Sequence, residues 1–538
     1  MSRTPDAACP LNRRTLLQLG LAAQAAVALG GTAMAQGADR LKLGPPAPFS
    51  YDLLKRLAKD LAGKPYKEPA RPDPAIVQQI DYDAHGKLKF KPDDALYADS
   101  PGAYPITFMH VGQYFPKTVR MHAVVDGKAR EIIYDPSLFE MPADSVARKL
   151  APQPSAFAGF WVREAKDQVT DKGDWKTREP FATFLGASYF RAIGEKGQVG
   201  MSARGVALFP QPGAAEEFPD FIAYWFEPAM SDSDPVTVFA LLDGPSLTGA
   251  YRFLIHRTAG TLMEIEATVT MRKDVDRVGL AALTSMYWFS ETAKPTLIDW
   301  RPEVHDSDGL AMWTGAGERI WRPLNDPPRI MTSTFADEHP RGFGLLQRDR
   351  AFDHYQDGVK YQDRPSTWVE PVGDWGKGSV QLVELPTDDE IHDNVVAYWI
   401  PAQPTKAGVT IALAYKLYWQ DEEPFPTSLG RCVATRLGRG GQPGLPRPPG
   451  LRKFMIEFLG GPLEDIPYGQ TVEPVLWASR GTFSYIYAEA VPSDVKGHWR
   501  AQFDLKVEGP EPVDMRCYLK VGDKTLTETW LYQFHPAP

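Results

Sequence analysis

The sequence predicts an all-β protein made of large antiparallel sheets packed face to face, and three observations carry that expectation. Short apolar or alternating runs recur along most of the chain. They are broken by 49 prolines and 45 glycines, too often for the long helices of an α/β architecture. One segment alone has clear helical spacing.

Taken in order, the first element is Asn12-Arg13-Arg14-Thr15-Leu16-Leu17-Gln18, followed by an uncharged stretch to Ala33-Met34-Ala35. Residues 1–35 read as a twin-arginine export signal cleaved before Gln36, which sets the expected address as the periplasm. The competing reading is a membrane anchor, but the run is rich in Ala and Gly and falls short of the roughly 20 residues a span requires. Cleavage removes Arg3, Arg13, Arg14 and Asp6, so the formal charge moves from −9 to −11, which argues against nucleic acid as a partner. No later stretch reaches about 18 uncharged apolar residues, so no permanent membrane span is expected after cleavage.

Ser50 can cap a helix in which Leu53, Leu54, Leu57 and Leu61 recur at helical spacing, with Gly63 and Pro65 ending it. Beyond it the chain reads as β. Val236 to Leu242 is a buried run, Met263 to Val269 alternates apolar with polar, and Val409 to Trp419 is a further strand. Between Gly438 and Gly450 the Gly- and Pro-rich sequence predicts a break, so residues 425–450 are expected to be a linker. Residues 40–424 would then form one large domain. After the break, Lys453 to Phe458, Phe483 to Ala488, Ala501 to Val507 and Met515 to Val521 read as strands of a small sandwich over 451–538.

Cys432 and Cys517 are the cysteines left after cleavage, and their spacing carries no pairing signal, so free thiols are expected. The 10 histidines are scattered, and no His-Glu-x-x-His, Cys-x-x-Cys or phosphate-loop spacing occurs. Neither a metal nor a cofactor is expected. The acidic run Asp388-Asp389-Glu390 could hold calcium, but a solvated loop is the simpler reading.

Several blocks occur together and in order. They include Phe184-Leu185-Gly186-Ala187-Ser188-Tyr189-Phe190-Arg191-Ala192, Gly200-Met201-Ser202-Ala203-Arg204-Gly205, and Glu216-Glu217-Phe218-Pro219-Asp220-Phe221. Further on come His305-Asp306-Ser307-Asp308-Gly309-Leu310, Gly342-Phe343-Gly344-Leu345-Leu346-Gln347, Trp368-Val369-Glu370-Pro371, and Thr527-Glu528-Thr529-Trp530-Leu531-Tyr532-Gln533. Over nearly the whole mature chain they resemble the periplasmic glucans biosynthesis proteins G and D, a family that shapes osmoregulated periplasmic glucans with a β-1,2-linked glucose backbone. The resemblance implies a large galactose-mutarotase-like β-sandwich followed by a small immunoglobulin-like β-sandwich. A groove on the large sandwich would suit an extended sugar chain, although fold alone does not establish catalysis.

Glycoside hydrolysis needs a proton donor to the leaving oxygen and a base or nucleophile on the other face, which directs attention to carboxylates. The resemblance selects Asp393, in Ile391-His392-Asp393-Asn394, as general acid, and Asp306 as general base, of an inverting β-1,2-glucanase. The acid would need burial or a carboxylate neighbour, and the base a wetter, cation-supported setting. Asp308 is close enough in sequence that spacing does not decide which aspartate activates water, and on a strand both would face one groove. The plain reading of Asp393-Asn394 is a turn or cap. Sugars also need aromatic platforms, and Trp313, Tyr355, Tyr361, Arg364, Trp368 and Trp375 cluster between the two aspartates. Arg204 is either a buried structural arginine or a hydroxyl ligand. His392 is expected to point away from Asp393 if both lie on a strand.

Three readings follow. The first is an enzyme acting on β-1,2-linked glucan, either hydrolase or transglycosylase, with Ser428 to Gly450 a place where the acceptor could be selected. The second is a non-catalytic glucan-binding assembly protein that guides polymer from an inner-membrane glucan synthase. The third, a mutarotase-like epimerase of free sugars, has no resemblance beyond fold to support it.

Overall fold

The computed structural model describes residues 41–69, 71–151, 157–167, 170, 173–209, 215–293, 297–467 and 469–536. The expected export signal lies outside the described residues. The protein is all-β, with 46% strand against 9% helix. The chain divides into two compact units. One holds residues up to Phe49, 70–180 and Trp225–Thr237, and the other holds Ser50–Pro69, Phe181–Tyr224 and Val238–Pro538.

In the smaller unit, Ile106–His110 pairs antiparallel with Phe157–Val162. Arg120–Val125 and Lys128–Glu131 form a hairpin. Its two-residue turn, Asp126-Gly127, has φ of 50° and 69°, the doubly left-handed geometry that matches strand twist. Phe90, Phe108, Phe139 and Phe157 pack at 5.1–6.3 Å between ring centroids to make its core.

In the larger unit, two sheets face each other. The first runs side by side through Leu247–Arg257, Thr261–Met271, Thr410–Gln420, Ser366–Val372, Gly342–Leu346, Gly309–Trp313, Arg319–Pro323, Thr529–Phe534, Val513–Val521 and Glu473–Ala478. The second runs through Met331–Glu338, Lys377–Glu384, Val395–Pro401, Arg277–Ser285, Ser202–Phe209, Tyr189–Ala192 and Ala182–Leu185. Alternation explains the facing: along Thr261–Met271 the residues Met263, Ile265, Ala267 and Val269 are buried, while Leu262, Glu264, Glu266 and Thr268 are half-exposed. Aromatic rings bridge the sheets, with Phe184 and Phe190 each 5.2 Å from Phe253 and the Trp419 indole donating to the Met201 carbonyl.

The expected helix is Tyr51–Ala62, capped by the Ser50 hydroxyl accepting from the Leu53 N–H and ended at Gly63. Its buried stripe differs from the leucine pattern. Leu54, Ala58 and Ala62 are buried, whereas Leu53 and Leu57 are 39% and 45% exposed. The stripe is set by close packing on Leu247–Arg257, where the Thr248 hydroxyl donates to the Ala58 carbonyl at 2.7 Å, a contact that favours alanine.

The expected linker contains a strand. Arg431–Arg439 pairs antiparallel with Leu451–Leu459, with Gly438 and Arg439 opposite Lys453 and Arg452, so the Gly- and Pro-rich stretch is the loop of a hairpin. His498–Lys506 and Thr482–Ala490 complete this four-stranded sheet. It packs on Val513–Val521 and Thr529–Phe534 through Phe454, Phe503 and Trp530. Residues 451–538 also join the first sheet directly, because Ile320 and Trp321 pair in parallel with Thr529 and Trp530. Cys432 and Cys517 are free and buried, and burial raises both thiols well above their ordinary range. Among the described residues no helix is long and apolar enough to cross a membrane.

Candidate active site

Asp306 and Asp393 are set in place by side-chain amides that tie together segments far apart in sequence. Val304–His305 pairs with Tyr287–Phe289, and the Asp306 N–H donates to the Met286 carbonyl at 2.8 Å as the chain leaves that ladder. Asn394, next to Asp393, is the counterpart. Its Oδ1 accepts from the Tyr287 N–H at 2.9 Å, and its Nδ2 donates to the carbonyls of Tyr287 at 2.8 Å and Leu385 at 2.9 Å. One amide thus pins the Asp393 segment to the strand that carries the Asp306 segment. Replacing Asn394 with Ala takes this partner from the buried Tyr287 N–H and carbonyl and from the half-buried Leu385 carbonyl. The expected result is a loss of roughly 3 kcal/mol of stability, read by urea unfolding.

Gln347 does the same for the opposite wall. Its Nε2 donates at 3.0 Å to the carbonyls of His305 and of Tyr361, and its Oε1 accepts from His305 Nδ1 at 2.9 Å. Arg350 holds the turn Tyr361–Asp363 and Arg364 by donating to the carbonyls of Gln362, Arg364 and Asp421. The Arg364 side chain runs against Gly200, where an added Cβ would lie 3.1 Å from Arg364 Cβ. The absence of a side chain at Gly200 therefore makes room for this arginine.

The electrostatics differ between the two carboxylates. Asp306 is 5% exposed and forms an ion pair with Arg364 Nη1. Burial pushes its carboxyl up to about 6; Arg364 opposes that, and the charge of Asp393 adds to it. Asp393 is exposed to solvent yet flanked by protein, as a side chain on the wall of a concavity is. Its carboxyl is also raised, chiefly by desolvation, against the lowering charges of Arg204, Arg191 and Arg364. Among the described residues no side chain donates a hydrogen bond to it. The cation stands beside Asp306 as expected, but the wetter position belongs to Asp393. Asp393 also precedes the strand Val395–Pro401, so strand alternation does not govern His392, which is exposed.

Residues that sequence reasoning passed over, together with Arg204 and Glu390, complete the site. His305 is fully buried, with Nε2 donating to Glu303 at 3.0 Å. Burial alone would lower it, but the hydrogen bond and charge of Glu303, with the charges of Asp308 and Asp349, outweigh burial and raise it to about 9. An imidazolium thus sits directly before Asp306. Arg204 is 1% exposed, pairs with Glu216 and lies over the rings of Tyr189 and Phe218 at 5.3 and 5.5 Å, so it is buried and still acts on Asp393 through its charge. Glu390 belongs to the acidic run read as a solvated loop. Instead it accepts from the Tyr361 hydroxyl at 2.5 Å and pairs with Arg301 at 2.5 Å. Glu216, His305 and Gln347 all fall inside the blocks quoted above, which was the available signal for them.

The remaining candidates are placed differently from expectation. Asp308 does not share a strand with Asp306, because Gly309 begins the next strand. Its two oxygens accept from the backbone N–H groups of Arg348 and Asp349 at 2.8–3.1 Å, which commits it to holding that segment. Tyr355 and Tyr361 are buried in a cluster with Met286, Phe289 and Val304, and Arg364 lies 4.5 Å over the Tyr361 ring. Trp368 is 1% exposed and fills the space left by Gly342 and Gly344, where a Cβ would come within 2.5 Å of its indole or 2.1 Å of the Thr367 carbonyl. Trp313 is held between Arg319 at 3.7 Å and Arg341 at 5.2 Å. Trp375 lines a separate cavity. Of the expected aromatic platforms, the structure brings Tyr361 alone close to Asp306, through its contact with Arg364. Glu303, Asp349 and His354 offer ligand atoms within 4.8 Å of one another, but His354 is already hydrogen-bonded to Asp349.

A carboxyl in an open position, near a second carboxyl bound to a guanidinium, offers a proton donor and a proton acceptor that can act on one bond. Comparison with known proteins gives the context. Residues 49–534 match a family model described as "Periplasmic glucan biosynthesis protein, MdoG". Glucans biosynthesis protein D 2 of Ralstonia nicotianae is 60% identical over 528 residues, covering 98% of each chain. Glucans biosynthesis protein D of Xanthomonas axonopodis pv. citri is 45% identical over 537 residues, covering 98% of this chain and 99% of its own. The corresponding protein of Stenotrophomonas maltophilia is 47% identical over 500 residues, 92% of each. With the family match spanning nearly all the described residues and such relatives matching end to end, the chain belongs to the periplasmic glucan biosynthesis protein family.

Proposed function

We propose that the protein acts in the periplasm on the β-1,2-linked backbone of a glucan, cutting it or cutting and rejoining it, with Asp393 as general acid and Asp306 as general base. The observation that carries this reading is the different placement of two carboxyls that burial raises alike in direction: Asp306 is bound to Arg364, while Asp393 is open and, among the described residues, has no side-chain donor. Export through the twin-arginine route is part of the same proposal, as is receipt of polymer from an inner-membrane synthase.

The test is to incubate the mature protein with linear β-1,2-glucan and analyse products by mass spectrometry and anomeric NMR. Shorter chains that have gained water, with inverted anomeric configuration, support hydrolysis. Products of cyclic mass or redistributed length without added water support transfer. Unchanged glucan would defeat the enzymatic reading.

The pH profile provides a second check. Asp306 must be ionised to act as base, so kcat/KM is expected to fall as pH drops below about 6. Arg364 lowers the Asp306 pKa, so Arg364→Leu should move this acidic limb to higher pH as well as lowering the rate. An unmoved limb would show that Asp306 is not the group titrating there.

A further inference from the structure

The larger unit holds a cavity of about 820 Å³ that the acid pair does not use. Its walls come from the first sheet at Glu266–Thr268 and Ile411–Ala414, the second sheet at Leu280 and Trp399, the helix residues Tyr51 and Lys55, and the loop from Val372 to Lys377. The strand Val395–Pro401 leads from Asp393, which precedes it, to the cavity, which it lines at Trp399 and Pro401, so six to eight residues, at most about 20–26 Å of extended chain, lie between the two places.

Trp375 forms one wall of this cavity. Gly373 and Gly376 flank it with φ of 79° and 64°, so the loop turns sharply on both sides of the indole. The ring is held from behind, by a hydrogen bond from Nε1 to the Ala414 carbonyl at 3.0 Å and by contacts at 5.9 Å with Trp399 and 6.2 Å with Tyr415. It remains half-buried, and its polar atom is satisfied by protein. An indole fixed in this way offers an apolar surface without a further demand for a hydrogen bond.

The rest of the lining defines the ligand's chemistry. Lys55 and Lys377 balance Glu266 and Asp374 in number, and each is paired with a residue outside the lining, Asp52, Glu338, Arg252 and His339 respectively, so the cavity does not select a charged ligand of either sign. A purely apolar ligand would cover the polar groups of Lys55, Thr268, Lys377 and Gln403 without hydrogen-bonding them. A ligand with an apolar face and many hydroxyls satisfies both requirements. We infer that this cavity binds a stretch of neutral oligosaccharide, giving the glucan a second holding point remote from Asp306 and Asp393. This inference rests on the glucan reading above and adds a site to it.

The test is titration calorimetry of the mature Asp393→Asn protein with linear β-1,2-linked oligosaccharides of defined length. Two classes of binding are expected. Adding Trp375→Ala should weaken one class about tenfold or more. Ala412→Trp, at an exposed lining position, fills the cavity and should abolish that same class, which keeps the test valid if Trp375→Ala is poorly folded. The other class should persist in both. A single class of binding, or two classes indifferent to both substitutions, would overturn the second site while leaving the glucan reading in place. No binding by any of the proteins would overturn both.

Discussion

Asp393→Asn is expected to lower turnover of linear β-1,2-glucan by about 10²- to 10⁴-fold while binding changes by no more than a few-fold. The amide matches the carboxyl in shape but cannot deliver the proton. The neighbouring Asn394 clamp on Tyr287 and Leu385 is untouched, so the segment should keep its position. Removing the carboxyl also takes away a charge that raises Asp306, so the Asp306 pKa should fall and the acidic limb of any residual activity should move to lower pH. Single-turnover product formation, with affinity measured separately, checks both statements. Wild-type turnover in the variant would remove Asp393 from the chemistry.

Arg322→Leu is expected to cost about 3–5 kcal/mol of stability, the largest loss for a change outside the acid pair. Arg322 reaches from the Arg319–Pro323 strand of the first sheet to Glu384, at the end of Lys377–Glu384 in the second, and donates to it at 2.9 Å. Both are almost fully buried. Glu384 also accepts from the Asn325 N–H at 2.7 Å. Without the guanidinium, a buried carboxylate faces apolar surroundings with one backbone donor. Burial already raises the Glu384 carboxyl and Arg322 opposes it, so the variant's carboxyl should titrate higher still. The destabilisation should therefore be full at high pH and shrink as pH falls and Glu384 protonates. Urea unfolding across pH would measure it. The double variant Arg322→Leu, Glu384→Leu should recover most of the loss.

Local signals in the sequence served well where a single residue decides the outcome. Ser50 and Gly63 bound the helix because a hydroxyl cap and a helix stop act within one turn. Alternation located Thr261–Met271 because one face meets the core. The aromatic candidates fared differently for a physical reason: an indole suits a sugar face and a protein core equally, and the neighbours that decide between them are far away in sequence. Trp368 is buried because Gly342 and Gly344 leave room for it, and Trp313 is covered because Arg319 and Arg341 close on it. Asp308 was indistinguishable from a groove residue until two backbone N–H groups some 40 positions away met its oxygens. Asn394 shows the converse case. A short polar residue beside an aspartate suggested a turn, whereas its amide spans 107 positions to organise the site.

The parallel pairing of Ile320 and Trp321 with Thr529 and Trp530 bears on how the molecule comes into being. Thr529–Phe534 follows Arg319–Pro323 by some 200 positions, yet it lies inside the sheet between Arg319–Pro323 and Val513–Val521. Until it arrives, both neighbours present open edges, and the larger unit cannot close from its N-terminal end alone. Assembly must form contacts across some 200 positions, which is intrinsically slow.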